Sequence, residues 1–220
     1  MSKERIGVFG GTFDPIHSGH LWAARLVQKR FSLDRVLFVP SYIPPHKERA
    51  GMASPFDRLK MVELAVQGHA RFLPSPVEIH ARGKSYSINT LEKIKKLYPQ
   101  ARIFFLVGVD AFLEIETWRE WRRLLKQCLF IVMTRPGYRL KEAWNVLDRA
   151  YRKSFRSVSK SGRIRKLWLN SCRIFLLPIE AKDISSTEIR ERIRLRKPIR
   201  GLVPRAVEDY IHEHRLYRTN

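Results

Sequence analysis

Residues 6–31, IGVFGGTFDPIHSGHLWAARLVQKRF, decide the architecture. An apolar run from Ile6 to Phe9 meets Gly10, Gly11 and Thr12, and a helical pattern opens at His17-Ser18-Gly19-His20. Strand, glycine turn and helix start are the parts with which α/β proteins hold phosphate. Glycine lets the backbone approach a ligand closely, and the first N–H groups and positive dipole end of the helix favour an anion. Neither G-x-x-x-x-G-K-[ST] nor G-x-G-x-x-G is present, so the turn belongs to a third class of phosphate site. His17 and His20 are three residues apart and neighbours on the first helical turn. Imidazoles placed there donate hydrogen bonds to phosphoryl oxygens without acting as nucleophiles, and the same pair would suit a metal.

Working outward, β-rich apolar runs recur at Arg35 to Val39, Phe72 to Ile79, Ile103 to Val107, Leu129 to Thr134 and Arg173 to Leu177, with helix-length intervals between them. This alternation predicts an α/β fold: a Rossmann-like, doubly wound, mostly parallel sheet with helices on both faces. Ser54-Pro55 supplies an N-cap and a first-turn proline for FDRLKMVELAV, and Ser87 precedes INTLEKIKKLY, whose Ile88, Leu91, Ile94 and Leu97 form one stripe. Parallel sheets bind ligands at the carboxyl ends of their strands, which directs attention to the residues following each run.

The chain has 220 residues, 44% of them hydrophobic, enough for one globular core. We expect a single domain over 1–220, a basic insertion at about 139–172 and a small C-terminal helical part at about 184–217. Lys and Arg number 43 against 21 Asp and Glu, a net +22 that excludes acidic-tail and collagen-like classes and points to anionic partners. Arg139 to Lys166 alone carries a net +8, read as a helix over about 140–151 followed by a surface loop over 154–166. No apolar run approaches the roughly 18 to 20 residues of a membrane span, and MSKERIGVFGG has no secretory pattern, so the expectation is a cytoplasmic protein without a membrane partner. Cys128 and Cys172 sit in apolar stretches and are expected to be buried thiols, not a disulfide framework or a zinc site.

A second candidate phosphate site is Asp183-Ile184-Ser185-Ser186-Thr187-Glu188-Ile189-Arg190. Ser185 and Glu188 have capping-box spacing, which starts a helix there. The hydroxyls of Ser185, Ser186 and Thr187 and the fork of Arg190 suit pyrophosphate, while a capped surface helix is the plain alternative.

Taken together, GGTFDPIHSGH and ISSTEIR resemble the nucleotidyltransferases with an H-x-G-H signature, in particular the bacterial nicotinate-nucleotide adenylyltransferases. The resemblance covers roughly Lys3 to Gly137 and Arg173 to Tyr217. It implies catalytic roles for His17, His20 and Thr12, which would stabilise charge at the α-phosphorus of ATP. It also implies an ATP site of Gly10, Gly11, Thr12, His17, His20, Gly108, Asp110, Ser185, Ser186, Thr187 and Arg190. The acceptor, nicotinate mononucleotide, would meet Phe13, Lys47, Ser85, Tyr86, Ser87, Trp118 and Arg119. Trp118 is the expected platform for the pyridine ring and Trp121 the expected core member. Two positions depart from the family pattern: Ser87 stands for the usual Thr, and Asn89 where Asp is expected.

The implied reaction is a direct in-line attack of the acceptor 5′-phosphate on ATP, giving nicotinate adenine dinucleotide and pyrophosphate with no covalent enzyme intermediate. Mg²⁺ would arrive with ATP, and no residue is assigned as a metal ligand. Nicotinamide mononucleotide and phosphopantetheine are alternative acceptors. A basic RNA-binding protein is the alternative outside enzymes, with Tyr151, Phe155 and Trp168 set among arginines, although no specific nucleic-acid partner is expected.

Overall fold

The computed structural model describes residues 3–45, 51–134, 143–146, 155–157, 173–179 and 183–218. The strands are β1 (Arg5–Gly11), β2 (Arg35–Pro40), β3 (Phe72–Pro74), β4 (Arg102–Gly108), β5 (Leu129–Met133), β6 (Phe155–Ser157) and β7 (Ile174–Leu177). The helices are α1 (Ser18–Phe31), α2 (Pro55–Val66), α3 (Ser87–Leu97), α4 (Val109–Leu113), α5 (Trp121–Gln127), α6 (Ala143–Val146), α7 (Ser186–Arg194) and α8 (Arg205–Glu213), with a 3₁₀ turn at Ile115–Thr117.

Among the described residues the strands form one sheet in the order β3-β2-β1-β4-β5-β7-β6, every pair parallel. A parallel sheet covered on both faces must be apolar on both, and alternate residues of each strand divide accordingly. Phe9, Phe38, Phe104, Leu106 and Ile131 join one core with residues of α1, α2, α7 and α8. Val8, Leu37, Phe105, Val107 and Phe130 join the other with residues of α3, α4, α5 and Ala143. This is the doubly wound, Rossmann-like architecture expected.

The order reverses between β1 and β4. The chain leaves β1 toward β2 and β3, then returns to lay β4 on the other side of β1. Phe9 is in register with Leu106, so two residues further on Gly11 and Gly108 leave the sheet side by side. Such a switch point opens a crevice at the carboxyl ends of the strands, which is where an open α/β sheet takes its ligand.

Four local expectations change. The run Phe72 to Ile79 is a strand only to Pro74, because Pro74 and Pro76 lack the N–H a ladder requires, and Ile79 is buried in a turn instead. Ser87 is the first residue of α3 and not its cap, which is Tyr86. Leu97 closes the α3 stripe but is exposed, since it lies in the last turn past the end of the core. Within the segment read as a loop, Phe155–Ser157 is an edge strand on β7; an edge strand draws on backbone pairing along one side and needs no apolar pattern. Apart from 143–146 and 155–157, the basic segment 139–166 lies outside the described residues, as do Tyr151, Trp168 and Cys172. Cys128 is buried, and burial pushes its thiol up to about 12. No helix among the described residues is long and apolar enough to cross a membrane.

Candidate active site

The β1–α1 turn is shaped by close packing. A Cβ on Gly11 would lie 3.1 Å from the ring of Phe13, which takes a left-handed backbone (φ 50°) and tucks that ring beneath the turn. Phe13 is buried and meets His20 edge-on, centroids 5.1 Å apart and planes at 80°. Its ring therefore supports a histidine and is not exposed to line the crevice as expected. Thr12 offers its carbonyl to the Arg58 guanidinium at 2.8 Å.

His17 is the extended N-cap residue of α1. Its backbone N–H donates to Nδ1 of His20 at 3.3 Å, and the two imidazoles stack with centroids 3.6 Å apart at 26°. Because Nδ1 of His20 accepts, the proton of a neutral His20 ring sits on Nε2. The stack also depends on Gly19, where a Cβ would come 3.0 Å from Nδ1 of His17. One first-turn amide is already used, since Ser18 donates its N–H to the Leu202 carbonyl at 2.8 Å.

The start of α7 is fastened to this same turn. Ser185 caps the helix, its hydroxyl accepting from the Glu188 N–H at 3.0 Å. Ser186 donates its hydroxyl to the carbonyl of Pro15 at 2.9 Å, and Nη1 of Arg190 donates to the carbonyl of Asp14 at 2.8 Å. The same Nη1 lies 3.5 Å from Oδ2 of Asp14, and Nη2 of Arg190 donates to the Thr187 hydroxyl at 3.4 Å. Two sequence motifs some 170 residues apart (Ser186 to Pro15, separation 171) thus form one junction.

Of the residues expected on the acceptor side, Ser85, Tyr86 and Ser87 lie where the chain after β3 enters α3, and Trp118 and Arg119 follow the 3₁₀ turn after α4. Ile43 bridges Lys84, and the Ser85 hydroxyl accepts from the Tyr42 N–H at 2.9 Å, so Ser85 ties two loops together. Arg119 lies over the Tyr86 ring at 5.0 Å, and Trp118 meets Phe105 edge-on at 6.2 Å. Ser87 opens α3, Gly108 caps α4 and Asp110 lies in its first turn. Trp121 is buried in the core as expected. Asn89 is exposed; the segment is braced instead by the Thr90 hydroxyl donating to Glu78, whose carboxyl is held above the usual range by burial, with bonds from Ser85 and Thr90 opposing. Lys47 lies outside the described residues.

Sequence reading missed the buried polar groups beneath the site. Arg58, 1% exposed, donates to the carbonyls of Ala53, Thr12, Ser41 and Tyr42. A signal existed: Arg58, Met61, Val62 and Ala65 share the buried stripe of α2, and a cation on such a stripe must find partners. Asp14, 4% exposed, accepts from the Ala53 N–H at 3.0 Å and from the Tyr217 hydroxyl at 2.8 Å. Nothing local to Tyr217 marks it. Among the described residues no group of three or more His, Cys, Asp or Glu is placed to hold a metal ion.

A parallel sheet with a glycine turn at its switch point, paired histidines on one helix start and a second helix start locked beside them define a nucleotidyltransferase. The sequence model of the cytidylyltransferase-like family matches residues 8–192, and the chain belongs to that family. Its relatives include the probable nicotinate-nucleotide adenylyltransferases of Desulfitobacterium hafniense (42% identical, over 98% of this chain and 96% of the relative) and of Thermus thermophilus (40%, over 97% and 100%). A solved structure of Plasmodium falciparum nicotinic acid mononucleotide adenylyltransferase, complexed with NaAD, has the same fold at a TM-score of 0.72 and 18% identity, covering 97% of each chain.

Proposed function

We propose that this enzyme transfers the adenylyl group of ATP to the 5′-phosphate of nicotinate mononucleotide. The observation that carries the reading is the junction of the two helix starts, Arg190 on the Asp14 carbonyl and Ser186 on the Pro15 carbonyl, directly before His17 and His20. It is supported by full-length relatives at 40 to 42% identity named as probable nicotinate-nucleotide adenylyltransferases.

In the reaction an oxygen of the acceptor phosphate forms a bond to the α-phosphorus of ATP while the bond from that phosphorus to the β-bridging oxygen breaks, and pyrophosphate leaves. A phosphate monoester has its second pKa near about 6, so the nucleophile is already ionised at neutral pH and needs no general base. Catalysis then rests on position and charge. The Nε2–H of His20 and the His17 imidazole face the α-phosphoryl oxygens, with Thr12 and the Gly10-Gly11 backbone alongside. The α7 amides, the hydroxyls of Ser185 and Thr187, and the Nε of Arg190 take the departing pyrophosphate. Ser186, whose proton goes to Pro15, acts as a strut. Asp110 and Gly108 serve the adenosine side. The donor set suits a Mg²⁺ carried on the triphosphate and water, because the described residues offer no three-ligand cage; when bound, the ion supplies charge neutralisation on the phosphates.

On the acceptor side, Trp118 is the platform for the pyridine ring and the backbone amides of Ser87 and Arg119 hold its carboxylate, with the Arg119 guanidinium resting over the Tyr86 ring. Lys47 binds the acceptor phosphate, and Ser85, held by the Tyr42 N–H, belongs with Ser87 to the same acceptor side. Pyrophosphate release with ATP and equal concentrations of nicotinate mononucleotide, nicotinamide mononucleotide or phosphopantetheine tests this. Nicotinate mononucleotide should win by at least about tenfold in kcat/KM, the scale of one charge-assisted hydrogen bond; equal or greater turnover with either rival refutes the assigned acceptor.

A further inference from the structure

Asp14 follows Phe13 in the turn that leads to His17, and its buried carboxylate is shared by three remote segments. Oδ1 accepts from Ala53 N–H at 3.0 Å, at the end of the β2–α2 loop, and from the Tyr217 hydroxyl at 2.8 Å, in the segment after α8. Oδ2 faces Nη1 of Arg190 at 3.5 Å, and the same nitrogen donates to the Asp14 carbonyl. A buried carboxylate must have its lone pairs satisfied, and a cation seated on it keeps one orientation only while those bonds hold.

The backbone that delivers Tyr217 is unusual. Arg215 (φ 51°) and Tyr217 (φ 64°) both take left-handed conformations, which side chains of these types adopt rarely and keep only where surrounding contacts enforce it. The two left-handed residues fold the chain after α8 back onto the β1–α1 turn, bringing a phenol from 203 positions away onto one carboxylate oxygen. Packing supplies part of the reason, because Tyr217 and Leu216 lie against the core beneath α1, α2 and α7. Packing alone would be served by phenylalanine; the hydroxyl is aimed at Asp14.

We propose that Tyr217 is a positioning residue for the ATP side of the active site: through Asp14 it holds Arg190 in the orientation that receives the departing pyrophosphate. The proposal rests on the reading of Arg190 given above. The phenol touches no substrate. It fixes the carboxylate, the carboxylate seats the guanidinium, and the remaining donors of Arg190 are aimed at phosphate. In Tyr217→Phe, Oδ1 retains its bond from Ala53 N–H, so Ala53 stays anchored, while a carboxylate that has lost one of its two Oδ1 bonds is freer to turn and carry Oδ2 away from Arg190.

The test measures the affinity of the full chain for ATP by calorimetry, the KM for nicotinate mononucleotide, and the denaturant midpoint, for wild type, Tyr217→Phe, Arg190→Lys and the double variant. Tyr217→Phe should weaken ATP binding about tenfold, the scale of one hydrogen bond to a charged group, while the acceptor KM stays close to wild type and the midpoint falls by no more than the loss of that one buried hydrogen bond requires. In the Arg190→Lys background the same change should cost about twofold or less, since the two act in one chain of contacts. The proposal falls if ATP affinity is unchanged, if ATP affinity and acceptor KM decline together, or if the two substitutions are additive. Wild type that binds ATP but does not turn over nicotinate mononucleotide refutes the assigned acceptor and leaves this comparison readable; wild type that binds no ATP refutes both.

Discussion

At the scale of single residues, the site depends on what is absent as much as on what is present. Gly19 is the second residue of α1, where alanine would ordinarily favour the helix by about 1 kcal/mol. A Cβ there would meet Nδ1 of His17 at 3.0 Å and Cε1 at 3.1 Å, with Ile184 on the other side at 3.8 Å. Gly19→Ala should therefore leave unfolding stability equal or higher while kcat falls by about tenfold, because small displacements of positioned groups are costly to rate. An unchanged kcat in steady-state assay would show that the histidine stack tolerates movement. Arg58 illustrates the opposite case. Burial lowers its pKa from the usual arginine range, with the Asp14 carboxylate the largest opposing influence, and its fork spans four carbonyls. Arg58→Met should cost about 3 to 5 kcal/mol in denaturant unfolding by leaving those carbonyls unsatisfied. Arg58→Lys should recover only part, since a point charge does not reproduce a planar fork.

At the scale of elements, helix starts do most of the work. α2 begins with a conventional signal: Ser54 accepts from the Asp57 N–H at 3.1 Å, and Pro55 fills the first helical position. Ser54→Ala should lower stability by about 1 kcal/mol, measured as a shift in urea midpoint without change in slope. A negligible shift would mean that water or Asp57 itself satisfies the helix end. α1 and α7 differ from α2 in what their starts meet. Ser186 and Arg190 of α7 bond the carbonyls of Pro15 and Asp14 just before the α1 cap, so two dipole ends that would repel in isolation are held close together by side-chain bonds to backbone carbonyls.

At the scale of the whole molecule, α8 and the segment behind it close the fold. The Tyr210 hydroxyl donates to Asp57 Oδ1 at 2.8 Å, and desolvation, with the Asp57 bond and charge, raises its pKa from the usual 10 to about 12. Tyr217 is raised further, by burial and then by the Asp14 charge. In both the protonated phenol is favoured by folding, so their stabilising contribution is complete below pH 10 and declines as pH rises from there toward 12. Unfolding free energy measured across that interval should fall in wild type and fall less steeply in Tyr210→Phe. Parallel curves would remove Tyr210 from the account. The net charge of +22 acts at this scale as well, attracting anions to the molecule in a salt-dependent way.

Much of the molecule was legible in its residue order because the relevant physics is local. Alternation of apolar strands with helix-length intervals determined a parallel, doubly wound sheet, and the Gly10-Gly11-Thr12 turn before His17 and His20 determined where phosphate would be sought. Caps at Ser54 and Ser185 were readable from neighbours a few positions away. The edge strand at Phe155–Ser157 was not, because pairing along one side of a backbone leaves no mark on side-chain pattern. Tertiary structure alone decided that Ser186 would spend its proton on Pro15, that Phe13 would turn its ring inward beneath His20, and that Arg58, Asp14 and Tyr217 would meet under the site. The reason is the same in each case: a buried polar group is satisfied by whatever partner the fold brings within about 3 Å, and which partner that is depends on contacts between segments far apart in the chain.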